Sequence, residues 1–272
     1  MEDFRTAQAF ASSWNNLPDG SVYTYEQFLD WIKPLTKADI SKKTVLEFGC
    51  GNGSLMCHLV RWNPRFVKGV DLGDSVISCR KNMELTLFEN FEIDQTDLVC
   101  FRSNGYDFVY CIGVLHHLKN PFRGFESVIK NTKPGGKFHC WVYAKEGNEL
   151  VRLLVEPIRM IASKLPWWFN KYIIVIPLAF AYFLYANLIV GFKLSKLPLY
   201  DYSKWITERD FDFFRHVVFD QLVTPQTTYI DKKTIESWFD SFPDIDHDSK
   251  YLIFRNGNSW KFGGQKLCSS EH

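Results

Sequence analysis

Between Lys43 and Phe138 short apolar runs alternate with mixed polar and apolar stretches, the pattern of strands joined by helical crossovers. The runs are Thr44 to Phe48, Phe66 to Val70, Phe91 to Asp94, Phe108 to Ile112 and Lys137 to Tyr143. Each is rich in β-branched or aromatic residues with few interruptions, which predicts strands of a parallel sheet covered on both faces. Helix start signals lie between them. Asp74-Ser75 precede a helix over Val76 to Leu87, and Pro121 opens one reaching about Asn131. Lys133-Pro134-Gly135-Gly136 predicts a turn into the fifth strand, and a helix is expected to begin near Ser54.

Outside that block the pattern changes twice. Residues 1–42 predict a helical cap in two pieces, divided at Leu17-Pro18-Asp19-Gly20, with Phe4, Phe10, Trp14, Tyr23, Tyr25, Phe28 and Trp31 needing a surface to cover. Such a cap either only packs on the sheet or also closes over a ligand. Residues 145–230 interrupt the alternation with a helix over Glu149 to Leu165, then Pro166-Trp167-Trp168-Phe169, then 21 uncharged residues from Tyr172 to Phe192. Residues 231–265 return to the simpler pattern, with a helix from Lys232 to Phe239 and strands Tyr251 to Arg255 and Ser259 to Phe262. Asn256-Gly257-Asn258 joins those strands as a hairpin.

Composition narrows the function. The chain has 272 residues, 46% of them apolar, and 32 Lys and Arg against 31 Asp and Glu, so it lacks the basic excess that phosphate backbones select. No nucleic-acid partner is expected on that ground. Seven cysteines without a C-x-x-C pair predict neither a disulfide framework nor a metal site, and read as a reduced, cytoplasmic chain. The charged start, with no apolar segment after it, predicts no secretory signal.

The chemistry concentrates at the first strand. Gly49, Gly51 and Gly53 follow it directly, and a glycine loop there lets a ligand come closer than side chains permit. Position 54 is Ser where a dinucleotide loop starting at Gly49 needs its third glycine, and no Gly-Lys-Ser/Thr ending follows. Eighteen residues beyond Gly53, Asp71 ends the second strand, placed to accept from the hydroxyls of a ribose.

These residues resemble the class I S-adenosylmethionine-dependent methyltransferases, small-molecule branch, over roughly Thr44 to Tyr143. Glu47-x-Gly49-x-Gly51-x-Gly53 is similar to the first motif of that family, and Asp71 matches its ribose-binding acid. Asp94, followed by Gln95 and three residues later by Asp97, resembles the adenine-contacting stretch after the third strand. Tyr106 to Leu118 resembles the fourth-strand motif, and Lys133 to Phe138 the turn before the fifth strand. The resemblance implies a Rossmann-like α/β fold whose seven-stranded sheet is mostly parallel with the last strand antiparallel. The core would be residues 43–144 and 231–265, with residues 1–42 as the N-terminal cap and residues 145–230 as an apolar helical insertion or lid. It implies S-adenosylmethionine as cofactor, held by Glu47, Gly49, Cys50, Gly51, Gly53, Asp71, Leu72, Asp94, Gln95 and Ile112, and transfer of its methyl to a small acceptor.

His116 and His117, after the fourth strand, are the candidate acid/base residues at the edge where open α/β sheets bind ligands. Tyr23, Tyr143, Gln221 and Tyr229 are the candidate acceptor contacts, with Gln226 beside them. The absence of an Asn-Pro-Pro-Tyr-like tetrapeptide argues against DNA or protein-amide methylation. The uncharged run is long enough to span a bilayer, but a single crossing would separate the last two strands from their sheet. It is left as a buried lid helix lining an apolar pocket or as a helix lying in the membrane interface. Seven Lys or Arg from Arg152 to Lys204, against Glu156 and Asp201, favour contact with an anionic surface. The expected acceptor is therefore apolar, such as a lipid or quinone. The alternatives are a soluble metabolite or sugar as acceptor, or a non-catalytic cofactor-binding or peripheral membrane protein.

Overall fold

The computed structural model describes residues 4, 6–8, 10, 11, 20, 22–162, 164–224 and 227–268. Trp14, Leu17 to Asp19 and Gln226, named above, lie outside them.

Seven strands form one sheet: β1 (Thr44–Phe48), β2 (Phe66–Asp71), β3 (Phe91–Gln95), β4 (Tyr106–Ile112), β5 (Thr132–Tyr143), β6 (Tyr251–Arg255) and β7 (Ser259–Gln265). Their order is β3-β2-β1-β4-β5-β7-β6. The first five run parallel, and β7 pairs antiparallel with both β5 and β6. The expected mostly parallel sheet with an antiparallel last strand is therefore what forms.

Burial of both faces explains the near-continuous apolar runs. Leu46 and Phe48 of β1 point to a core shared with Phe125, Phe138, Trp238 and Phe262, while Val45 points to the opposite core with Phe28, Met56 and Tyr110. The first core is covered by α5 (Pro121–Lys130) and α10 (Lys232–Asp240). The second is covered by α1 (Tyr25–Ile32), α2 (Lys37–Ile40), α3 (Met56–Leu59) and α4 (Val76–Glu84). The cap is tied to the sheet by His139 of β5, which contacts the Trp31 carbonyl at 2.9 Å and the Tyr251 hydroxyl at 2.6 Å.

Three boundaries differ from the sequence reading. The stretch Lys133 to Gly136 belongs to β5 rather than to a turn, with a register shift opposite Tyr106 and Phe108 absorbing the glycines. The helix after Ser75 stops at Glu84, short of Leu87, whose φ is 61°. Helix α3 is only Met56–Leu59, continued by a 3₁₀ turn, Val60–Trp62.

The segment between β5 and α10 holds α6 (Glu149–Ala162), α7 (Val175–Gly191), α8 (Tyr200–Ile206) and α9 (Phe211–Val223). A π-helical turn, Asn170–Ile174, leads into α7, so the uncharged run is one continuous helical rod. The segment leaves and rejoins the core at one point: Ala144 bridges Ile230, and the Ile230 amide donates to the Tyr143 carbonyl at 3.0 Å. An excursion closed this way leaves β7 free to pair with β5.

Candidate active site

A cavity of about 260 Å³ lies over the carboxyl ends of β1, β2, β4 and β5. One end is built by the glycine loop. Gly49 has φ +73°, and a Cβ there would lie 2.1 Å from Val114 Cγ2, so the residue after β4 closes onto the loop only because position 49 carries no side chain. Gly51 lines the cavity, and its amide donates to Asp71 Oδ2 at 2.9 Å. The Gly73 amide donates to Asp71 Oδ1 at 2.8 Å. Burial pushes the Asp71 carboxyl up, and these amides together with the Ser75 hydroxyl pull it back. A carboxylate fixed by backbone amides, with the rotatable Ser75 hydroxyl among its donors, can exchange that hydroxyl for a ribose hydroxyl without backbone movement. The loop and Asp71 therefore fit an adenosine-bearing cofactor.

Glu47, Gly49, Cys50, Gly51, Asp71, Leu72 and Ile112 line this end as expected from the sequence. Glu47 is buried and accepts from the Tyr110 hydroxyl at 2.7 Å, and burial holds its carboxyl well above the usual range. Gly53 is not in the lining; its amide closes the loop on the Cys50 carbonyl at 2.8 Å. Asp94 and Gln95 require correction, because neither reaches the cavity. Strand alternation turns Asp94 away from the Ile93 face, where it pairs with Lys68 Nζ at 2.7 Å. Gln95 donates to Asp74 Oδ1 at 2.8 Å. Asp97, two residues past the strand, lines the cavity in their place.

The other end is aromatic. Tyr23 and Trp31 come from the cap, Trp141 and Tyr143 from β5, and Tyr202 and Trp205 from α8. Thr6, Ala7 and Phe10 also line the cavity, so the cap does close over the site rather than only covering the sheet. Tyr143 accepts from Gln221 Nε2 at 2.8 Å, and Arg159 grips the other end of that amide, Oε1, at 3.0 Å. Gln221 lines the cavity with both ends of its amide engaged, which makes it a support for Tyr143. Tyr229 is outside the lining, stacked behind Tyr143 with ring centroids 6.1 Å apart; this corrects its expected contact.

Both histidines after β4 line the cavity. His117 Nδ1 lies 3.3 Å from the Thr227 hydroxyl. His116 is fully buried, and neither ring nitrogen has a hydrogen-bond partner among the described residues. Burial, with His117 and Arg159 nearby, drives its pKa well below the ordinary value, so its imidazole stays neutral. His116 therefore meets the cavity as a neutral imidazole, the form that can accept a hydrogen bond or a proton. The sequence reading missed a second constellation. On α9, His216 and Asp220 both face the cavity, with His216 Nε2 3.2 Å from Asp220 Oδ2. Burial raises the Asp220 carboxyl, and His216 opposes that rise. A His-x-x-x-Asp spacing, which puts both side chains on one face of a helix, was the available signal. Among the described residues no cluster of His, Cys, Asp or Glu could hold a metal ion.

Comparison with known proteins gives consistent results. The family described as "Methyltransferase domain" matches residues 22–172. A tRNA U34 carboxymethyltransferase of Nautilia profundicola is 26% identical over 144 residues, covering 50% of this chain and 45% of that protein. A ubiquinone biosynthesis O-methyltransferase of Saccharophagus degradans is 28% identical over 103 residues, covering 37% and 43%. The chain thus spans less than half the length of either of these curated relatives. Among solved structures the fold is similar to an O-methyltransferase family protein from Burkholderia thailandensis, with a TM-score of 0.56 and 12% identity over 90% of this chain and 57% of that one. It is also similar to the N-methyltransferase NodS from Bradyrhizobium japonicum, crystallised with S-adenosyl-L-homocysteine, with a TM-score of 0.52 and 10% identity over 96% and 98% of the two chains.

Proposed function

Because the chain belongs to the methyltransferase-domain family of class I S-adenosylmethionine-dependent proteins, we propose that it transfers a methyl group to a protonated nucleophile on a small, largely apolar acceptor. The observation that carries this reading is the continuity of one cavity, with the glycine loop and Asp71 at one end and an aromatic chamber at the other.

S-adenosylmethionine, when bound, supplies a methyl group on a positively charged sulfonium, ready for in-line displacement. The Gly49 to Gly51 backbone and Asp71 would hold it, and Asp97 is the acid nearest in sequence to the expected adenine contact. The chain's remaining task is orientation and water exclusion. Tyr23, Trp31 and Trp141 present ring surface that receives apolar groups and favours a neighbouring cation. The Tyr143 oxygen accepts from Gln221, leaving its own O–H to donate to the acceptor.

The proton of the acceptor needs a base. Burial suppresses the proton affinity of His116, whereas His216 lies at the cavity with its Nε2 3.2 Å from Asp220 Oδ2, a pairing that fixes the ring for proton transfer. His216 is therefore the general base in this reading, Asp220 orients it, and His116 offers a neutral hydrogen bond.

The near-neutral charge and enclosed chamber support a small acceptor, as does the O-methyltransferase relative named for ubiquinone biosynthesis. The test is methyl transfer from labelled S-adenosylmethionine into an organic-soluble metabolite fraction. His216→Gln is expected to lower the rate by about a hundredfold or more while S-adenosylhomocysteine affinity stays at the wild-type value. Wild-type rates in that variant, or loss in His117→Ala alone, would move the base elsewhere.

A further inference from the structure

The segment inserted between β5 and α10 displays far more apolar surface than the rest of the molecule. Fourteen of the twenty-one exposed large apolar side chains among the described residues fall between Leu153 and Leu197. They form two stripes. On α7 and the turn before it, Tyr172, Ile173, Ile176, Phe180, Leu184 and Leu188 recur at helical spacing, with Phe180, Leu184 and Leu188 each slightly more than half exposed. On α6, Leu153, Leu154, Met160 and Ile161 recur in the same way.

Neither stripe is the back of a core helix. Helix α7 buries its opposite side, Val175, Ala179, Ala186 and Ile189, and Phe183 packs on Phe211 and Phe214 of α9 at 5.6 and 5.2 Å. Helix α9 in turn sends Phe213, His216 and Asp220 into the cavity. The layers run cavity, α9, α7 and then an uncovered apolar face.

Charge identifies what covers it. From Pro157 to Tyr200 there are forty-four residues without a single Asp or Glu, while Lys164, Lys171, Lys193 and Lys196 flank the apolar rod at its two ends. A second copy of this face would bring lysines against lysines, whereas an anionic bilayer surface matches both the apolar stripe and the cationic margins. A transmembrane crossing by Asn170–Gly191 does not fit, despite sufficient length, because the inner side of α7 is already occupied and β7 must return to pair with β5.

We propose that the α6 and α7 face is a membrane-docking surface that lies in the plane of an anionic leaflet and leaves α9 between the bilayer and the cavity. This surface stands on its own whether or not the acceptor is a lipid.

The experiment is sedimentation of the full chain with phosphatidylcholine vesicles, with and without phosphatidylglycerol. Binding is expected with the anionic vesicles and is expected to weaken as salt rises. Leu184→Gln combined with Leu188→Gln should lower the partition coefficient by about thirtyfold, with thermal midpoint and S-adenosylhomocysteine binding unchanged. Lys193→Gln and Lys196→Gln should each lower it about fivefold on anionic vesicles. Absence from the pellet at low salt overturns the proposal. So does undiminished binding of the leucine variant, and so does self-association without vesicles that the leucine variant abolishes, which would assign the face to a second copy.

Discussion

Three carboxylates near the ends of β2 and β3 show how a single position on a strand decides between holding a ligand and holding the fold. Asp71 and Asp97 line the cavity, while Asp94 is held by Lys68 on the other face of the sheet. Replacing Asp71 by Asn should weaken S-adenosylhomocysteine binding about tenfold to a hundredfold, the cost of losing charge-assisted hydrogen bonds. Asp97→Ala should weaken it too. Asp94→Asn should leave affinity within about twofold and lower stability by about 1 kcal/mol, since Glu92 still pairs with Lys68 at 2.9 Å. Isothermal titration and thermal denaturation of the three variants check this, and a large affinity loss in Asp94→Asn alone would restore the reading made from the motif. Asp71 was legible in the sequence because it sits at a fixed distance from three glycines. Within the stretch that resembles the adenine contact, Asp97 lines the cavity and Asp94 pairs with Lys68, because a motif gives order along the chain whereas strand alternation decides which face a side chain takes.

At the scale of elements, His139 joins β5 to the cap and to the edge strand. The Trp31 carbonyl can only accept, so Nε2 carries the proton and Nδ1 accepts from the Tyr251 hydroxyl. Burial pushes this histidine down to about 3, against the pull of the Trp31 carbonyl. Its pKa is lower folded than unfolded, so between the ordinary value near 6.5 and about 3 the unfolded chain binds a proton that the folded chain refuses. Stability is therefore lost as pH falls through that window, by roughly 1.4 kcal/mol per pH unit from this group. The thermal midpoint of wild type should fall more steeply from pH 6.5 to pH 5 than that of His139→Gln, and parallel slopes would refute the assignment. The strands were readable because double-sided burial writes long apolar runs. The bounds of β5 were not, since Lys133-Pro134-Gly135-Gly136 carries turn chemistry and sits in the irregularity between Thr132 and Lys137, on both sides of which β5 pairs with β4.

For the whole molecule, the insertion is the part whose role the sequence left open. Its composition fits a lid or a helix at a membrane interface, and in the fold the cavity-lining side chains and the exposed apolar ones sit on different helices. Helices α8 and α9 supply Tyr202, Trp205, His216 and Asp220 to the chamber, while α6 and α7 turn apolar surface outward. No local pattern could reveal that division, because it depends on which side of α9 meets the core. The spacing of His216 and Asp220 places both on one helix face, but which face meets the cavity depends on that same packing. One cavity joins the glycine loop and Asp71 to the aromatic chamber, and the proposed methyl transfer depends on that continuity. The most direct test is to incubate the full chain with methyl-labelled S-adenosylmethionine and a whole-cell extract, then separate organic-soluble small molecules, aqueous small molecules and RNA. The account predicts label in the organic-soluble fraction, lost in Asp71→Asn; label confined to RNA or to aqueous products, or no transfer at all, would contradict it.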